Sequence, residues 1–228
     1  MKLVKNKVNR KVPSIVNGIK SIPFKGVGMH SPKGTKNSPS IKSCQDFPMD
    51  GNKITKSLRD ALERCDLKNG MTISSHHHFR NGDLVMNKVF DILADMGLKD
   101  LVWFPSASFP CHEPMIKHME NGVIHHIEGS LNGPLGRYAS EGNMKGLAVL
   151  RSHGGRWQAI QDGEINIDLA IIPAPTADSF GNATGDRGPS ACGLLGFGLA
   201  DSIYANKSIV VTDNLVPFPC VPWQIQGN

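Results

Sequence analysis

The sequence predicts an α/β domain: a mostly parallel sheet with helices on both faces, preceded by a basic irregular leader. Three observations predict it. From residue 54 onward, short apolar runs alternate with segments of helical period. The connections between them are short, as strand–helix–strand repetition requires. The chain has 228 residues, 39% of them hydrophobic, with 24 glycines besides, which suits one domain with a sizeable core.

Residues 1–53 are rich in Lys, Gly, Pro and Ser, and "HSPKGTKNSPS" (30–40) reads as loop. "ITKSLRDALERCDL" places Ile54, Leu58, Ala61, Leu62 and Cys65 on one helical face, and "KNG" stops it. "MTISSHHHF" (71–79) reads as a strand, and "DLVMNKVFDILADM" (83–96) as a helix opening at Asp83. "DLVWFP" (100–105) is a strand, and "EPMIKHME" (113–120) a short helix with Pro in its first turn. "VIHHIEG" (123–129) and "GLAVLRS" (146–152) are strands, the second followed by Gly-Gly and the helical "RWQAIQDGEI". "IDLAIIPAP" (167–175) is the most apolar strand. A Gly-rich helical stretch (189–206) and the strand "KSIVVTDNLV" (207–216) follow. No internal repeat is visible.

The charge is uneven. Residues 1–56 hold 12 Lys/Arg against Asp46 and Asp50, leaving 13 against 18 acids for the rest of the chain. The net +5 therefore belongs to the leader. Such a leader is a solvated extension or a contact for an acidic partner; no interleaved aromatics or motif support base readout, so nucleic acid is not expected. The five cysteines lack CxxC spacing, which favours reduced thiols and a cytoplasmic protein. No apolar h-region follows the basic start, and no run approaches bilayer length, so neither a secretory signal nor a membrane span is expected.

Ligands of parallel α/β sheets bind at loops leaving the carboxyl ends of strands. These exits are 76–82, 105–112, 129–137, 152–155, 173–185 and 214–224. The first holds His76, His77, His78, Phe79, Arg80, Asn81 and Gly82. On a strand His76 and His78 share one face and His77 the other, a poor geometry for one metal. No metal site is expected. Arg80 offers a planar fork for a carboxylate, and a following helix start offers N–H groups, so an anion or oxyanion loop is plausible beside an ordinary exposed arginine. "PAPTADSFGNATG" (173–185) supplies Asp178, Gly181 and Asn182 after the most buried strand. Gly129, Asn132 and Gly133 in "GSLNGPLG", and Gly154 and Gly155 in "SHGG", are further Gly-rich exits, though neither spells a phosphate-binding fingerprint. Cys111 beside His112 reads as a structural thiol, and no GxSxG is present.

"LKNGMTISSHHHFRNGD" followed by an amphipathic helix resembles the N-terminal half of the citrate lyase alpha subunits. "IDLAIIPAPTADSFGNATG" and "SACGLLGFGLADSIYANKSIVVTDNLVPFPC" resemble the same family, so the likeness covers nearly all of 55–228. Asp-x-x-Gly-Asn after an apolar strand also recurs across the wider CoA-transferase superfamily. The resemblance implies a CoA-transferase-like domain over 54–228 behind a basic extension over 1–53. It implies exchange of acetyl for citrate on a thioester, giving citryl thioester and acetate through a mixed anhydride. The thioester is that of CoA, or of a CoA-like prosthetic group on an acyl carrier protein, a co-substrate and not a tightly bound cofactor. The implied partners are the beta (citryl-lyase) and gamma (acyl carrier) subunits, in an oligomer. Loop 76–82 would line the citrate and oxyanion region, and the Gly129–Gly133, Gly154–Gly155 and Asp178–Asn182 segments the thioester. The family's alpha chain carries a second, similar domain, expected to be absent from 1–228. The superfamily's nucleophilic glutamate lies in that half, so no catalytic carboxylate is assigned, and neither Glu113 nor Glu128 is promoted. The competing expectations are a scaffold module for the carrier or a lyase partner, and a metal hydrolase built on His76 and His78.

Overall fold

The computed structural model describes residues 1–26 and 49–227. The loop expected at 30–40, Cys44 and Asp46 lie outside the described residues. The described part of the leader departs from the irregular chain expected. β1 (Leu3–Lys5) pairs antiparallel with β2 (Lys11–Pro13), and β3 (Ile15–Val16) with β4 (Ile19–Lys20). The second hairpin turns on Asn17-Gly18, both at positive φ (47° and 81°). Asn-Gly is the dipeptide a two-residue hairpin favours, but strands of two residues each are too short to show a period. The Asn17 amide also donates to the carbonyls of Met144 (2.9 Å) and Gly146 (2.7 Å), docking this hairpin beside the domain.

α1 (Leu58–Glu63) is shorter than its apolar stripe, because Ser57 caps it by accepting the Asp60 N–H. The chain then runs β5 (Thr72–Ser75), α2 (Val85–Asp95), β6 (Leu101–Pro105), α3 (Met115–Glu120), β7 (Ile124–Gly129), α4 (Gly133–Ser140), β8 (Ala148–Leu150) and α5 (His153–Gln161). It returns through β9 (Leu169–Pro173), the small hairpin β10 (Thr176–Ala177) and β11 (Ala183–Thr184), α6 (Phe197–Tyr204) and β12 (Lys207–Val211). Six strands form one sheet in the order β12-β9-β5-β6-β7-β8, every neighbouring pair parallel. The α/β class expected from the alternation holds.

Helices cover both faces. Ile73, Leu101, Trp103, Leu169 and Ile171 point into a core shared with α1 to α4. Phe104, Ala170 and Ile172 point the other way, into a core with Ile160 of α5 and Ala205 after α6. The period-2 alternation along β6 and β9 thus feeds two cores from one sheet.

Several boundaries differ from expectation. The stretch 129–136, expected as open loop, folds from Gly133 into α4, with Pro134 in the first turn where its missing N–H costs nothing. The helix expected over 189–206 is confined to Phe197–Tyr204. Gly154 and Gly155 are not a loop exit but the first turn of α5, whose Ser152 cap accepts the Gly155 N–H at 3.1 Å.

Candidate functional site

The strand order reverses between β5 and β9: β6, β7 and β8 continue to one side, β12 to the other. Outside the carboxyl ends of two such strands, diverging connections leave a crevice, the usual ligand position in open parallel sheets. The exits from β5 and β9 are the histidine loop and the 173–185 segment. The two strongest sequence features therefore leave the sheet from neighbouring strands at the switch point, and they meet where His78 reaches Pro173.

β5 ends at Ser75, so the three histidines are loop residues and not the end of a strand reaching 79. The reason is a competing acceptor. The His77 N–H donates to the Ser106 hydroxyl (3.0 Å) instead of to a strand partner. His76 and His78 still lie together, with stacked rings 4.5 Å apart and Nδ1 atoms at 2.8 Å.

Their tautomers follow from donor counting. His78 Nε2 lies 2.5 Å from the carbonyl oxygen of Pro173, which only accepts, so Nε2 carries the proton. A neutral His78 then has a bare Nδ1, and His76 donates to it from its own Nδ1. His76 Nε2 is left as a bare acceptor, buried and unpartnered. An added Cβ at Gly198 would stand 2.9 Å from it, so only glycine fits on that side without a shift. Burial, then the neighbouring His78, Arg156 and His77, hold the His76 pKa well below the imidazole range. Burial takes His78 down to about 4, although its bond to Pro173 opposes this. Both rings are neutral near pH 7.

Beneath them lies a buried ion pair. Arg156 of α5 donates from Nη1 and Nη2 to the two carboxylate oxygens of Asp201 in α6 (2.7 and 2.8 Å). Nη2 also donates to the Phe104 carbonyl at 3.0 Å, and the guanidinium sits 4.1 Å over the Phe104 ring. This bidentate, stacked arrangement ties both helices of one face to β6. It also seats the exposed His153, at the start of α5, 6.0 Å from the His77 ring and 5.1 Å from Phe197.

The remaining loop residues divide into exposed and structural. Arg80 is exposed at positive φ (52°), and its guanidinium has no carboxylate partner among the described residues. Phe79 packs on His78, its ring 4.6 Å away. The Asn81 side chain accepts the Cys111 N–H at 2.8 Å and so fixes the loop after β6. Gly82 faces open space. The helix start expected at Asp83 lies at Val85, and the Asp83 carboxylate accepts the Val85 N–H at 3.0 Å. An acid therefore stands where the expected anion would meet that N–H. Burial raises Asp83 to about 6.

Asp178, Gly181 and Asn182 form the turn between β10 and β11. The Asp178 carboxylate accepts four hydrogen bonds: from the backbone of Phe180, Asn182 and Cys220, and from the Asn182 amide, at 2.8–3.1 Å. Burial raises its pKa, but these bonds outweigh it and hold the carboxyl below its usual range. They leave the pair a structural turn rather than a set of free contact groups.

Gly129 and Asn132 likewise serve packing. A Cβ at Gly129 would lie 1.9 Å from the Pro105 carbonyl oxygen, so β7 approaches β6 only through glycine. Asn132 exchanges hydrogen bonds with Ser108, and Gly133 rests on Pro110. Gly154 faces open space beside His153. Glu128 is bound by His126 (2.9 Å) and Arg151 (2.5 Å); burial raises its pKa, but these partners hold it low. Glu113 is exposed. Among the described residues no three His, Cys, Asp or Glu are grouped to hold a metal, and no helix is long and apolar enough to cross a membrane. Sequence reasoning missed Ser106, His153 and Arg156. The histidine of "SHGG", beside its more conspicuous glycines, is the local signal for His153.

A family model described as the citrate lyase alpha subunit matches residues 51–228. The chain is 40% identical over 177 residues to the citrate lyase alpha chain of Escherichia coli K12, a match that covers 77% of this chain and 35% of that one. It is 45% identical over 174 residues to the alpha chain of Klebsiella pneumoniae, 76% of this chain and 34% of that one. Matches therefore span about a third of these relatives. A crystal structure from Streptococcus mutans, assigned to the citrate lyase alpha subunit in complex with citrate, superposes with a TM-score of 0.87 at 41% identity, covering 97% of this chain and 43% of that one. An acyl-CoA transferase of E. coli O157:H7, solved as a thioester complex with CoA, shares the fold at a TM-score of 0.57 and 12% identity, over 78% of this chain and 46% of that one. The chain belongs to the citrate lyase alpha subunit family.

Proposed function

We propose that this chain forms one wall of a citrate transferase site, where a carrier thioester passes from acetyl to citrate. One observation carries the reading. The switch-point crevice holds neutral histidines and an exposed Arg80 with no carboxylate partner among the described residues, in a chain 41% identical to an alpha subunit solved with citrate. A carboxylate of citrate attacks the acetyl thioester carbonyl, and the tetrahedral oxyanion collapses to a mixed anhydride with loss of the carrier thiolate. That thiolate then attacks the citryl carbonyl and releases acetate. Arg80 pairs with a citrate carboxylate, and the one imidazole N–H of the loop that is not spent inside the protein, that of His77, stabilises the oxyanion. A neutral imidazole suits this work, because it donates without protonating the attacking carboxylate.

The open space at Gly154 suits the thin arm of a CoA-like group better than the filled surroundings of Gly129 and Gly133. A second, similar domain supplies the facing wall in this reading, and residues 54–228 act as one unit. The beta and gamma subunits are the expected partners, in the cytoplasm.

The test is a transfer assay with the alpha subunit carrying this sequence, acetyl-loaded carrier and labelled citrate. Replacing Arg80 and His77 together with alanine should slow acetate release by about 100-fold or more, the scale of a lost oxyanion donor. Transfer at the unaltered rate in that variant would remove this loop from the chemistry.

A further inference from the structure

Ser106, the residue after β6, meets His77 twice. Its hydroxyl oxygen accepts the His77 backbone N–H at 3.0 Å and lies 2.7 Å from Nδ1 of the same ring. Ser106 is buried, and its hydroxyl proton meets no other acceptor among the described residues. A buried donor without an acceptor is costly, so the proton goes to Nδ1. Nδ1 is then an acceptor, and the neutral ring keeps its own proton on Nε2. That nitrogen has no hydrogen-bond partner among the described residues and is not one of the buried unpartnered atoms. It belongs to a ring flanked by Phe109 (5.8 Å) and His153 (6.0 Å). Burial, then His153, Arg80 and Arg156, lower the His77 pKa and keep the ring neutral.

We infer that Ser106 is a positioning residue that fixes His77 as its Nε2–H tautomer and turns one neutral donor toward the crevice. The group it would serve is a carboxylate or thioester oxyanion, an assignment that rests on the function proposed above. The chain of hydrogen bonds is Ser106 Oγ–H to His77 Nδ1, then His77 Nε2–H to the ligand oxygen. It runs separately from the His76–His78 pair, which ends on Pro173. The loop thus presents two imidazole systems in opposite senses: His76 Nε2 is a bare acceptor, and His77 Nε2 is a donor.

Two-bond ¹H–¹⁵N spectra of the ¹⁵N-histidine-labelled chain near pH 7.5 read the tautomer directly. The wild type should show His77 protonated at Nε2. Ser106→Ala should shift His77 toward a mixture, and Ser106→Thr, which keeps the hydroxyl, should restore the wild-type pattern. An Nδ1-protonated His77 in the wild type, or a folded Ser106→Ala with an unchanged pattern, would overturn the inference. If Ser106→Ala does not fold, the wild-type and Ser106→Thr spectra still decide. Citrate added to the same samples should move the His77 signals, with roughly ten-fold weaker binding in Ser106→Ala. If the tautomer and its dependence on Ser106 hold but citrate moves nothing, the citrate reading falls and the role of Ser106 stands.

Discussion

His78 Nε2 and the carbonyl oxygen of Pro173 meet at 2.5 Å, joining the loop after β5 to the end of β9 across the switch point. The bond fixes a tautomer and a crevice wall together. Removing the imidazole leaves a buried carbonyl and the His76 Nδ1–H without partners. His78→Ala should therefore lower stability by about 2–3 kcal/mol, from the unmet buried groups and the lost packing. Urea unfolding measures it, and faster amide exchange near Pro173 would show that the brace has gone.

The imidazoles also set a pH dependence. Burial lowers the folded-state pKa of His76, His77 and His78 below 6.5, and His112 and His118 move the same way. Between the folded and unfolded values the unfolded chain binds more protons, so stability rises with pH. Their contribution is complete above about 6.5 and drains as pH falls toward about 4, the His78 value. Asp83, raised from 3.8 to about 6, opposes them: its contribution is present at low pH and is lost as pH rises through 6. The histidines outnumber it, so stability should drop by about 1–3 kcal/mol between pH 7 and pH 5. The pH slope of urea midpoints should flatten in His78→Asn. An equal slope in that variant would assign the effect to other groups.

Arg156 and Asp201 are almost wholly buried. Arg156→Met strands a carboxylate in the core and should cost about 3–5 kcal/mol. Pairing it with Asp201→Leu removes the stranded charge and should recover a large part of the loss. A double-mutant cycle by chemical denaturation gives the coupling. The double variant should still loosen His153, because its helix has lost the tie to Phe104.

Arg80→Ala separates binding from folding. The side chain is exposed and has no carboxylate partner among the described residues, so stability should change by less than about 0.5 kcal/mol. Citrate affinity, read by calorimetry, should fall about ten-fold or more, as for a lost charge-assisted hydrogen bond. Rising ionic strength should weaken wild-type binding more than that of the variant.

Asp178→Ala makes the opposite separation. Four donors lose their acceptor, so the β10–β11 turn should loosen at a cost of about 2–4 kcal/mol. Thermal unfolding measures it. Any loss of transfer should then track the unfolded fraction, because the carboxylate has no free lone pair aimed at the crevice.

Much of the fold is legible in the residues themselves. Short continuous apolar runs such as "DLVWFP" and "IDLAIIPAP" dictate strands, the 3.6-residue stripe of 83–96 dictates α2, and their alternation dictates a parallel sheet. The histidine loop, its Arg80 and its place at a strand exit are equally local, and they marked one wall of the crevice. Other features depend on neighbours distant in sequence. Ser106 ends β5 early by capturing the His77 N–H, which lies 29 positions before it, and no window around residue 77 contains that information. Asp178 reads like a contact residue until its four donors are seen, one of them from Cys220. Arg156 reads like an ordinary helix cation until Asp201, 45 positions later, is folded against it. Sequence by itself determined the strands of the main sheet and most of the helices that cover it, because periodicity and capping are local. Tertiary structure alone decided which polar groups are consumed and which remain free, because hydrogen-bond satisfaction is settled only when distant segments meet.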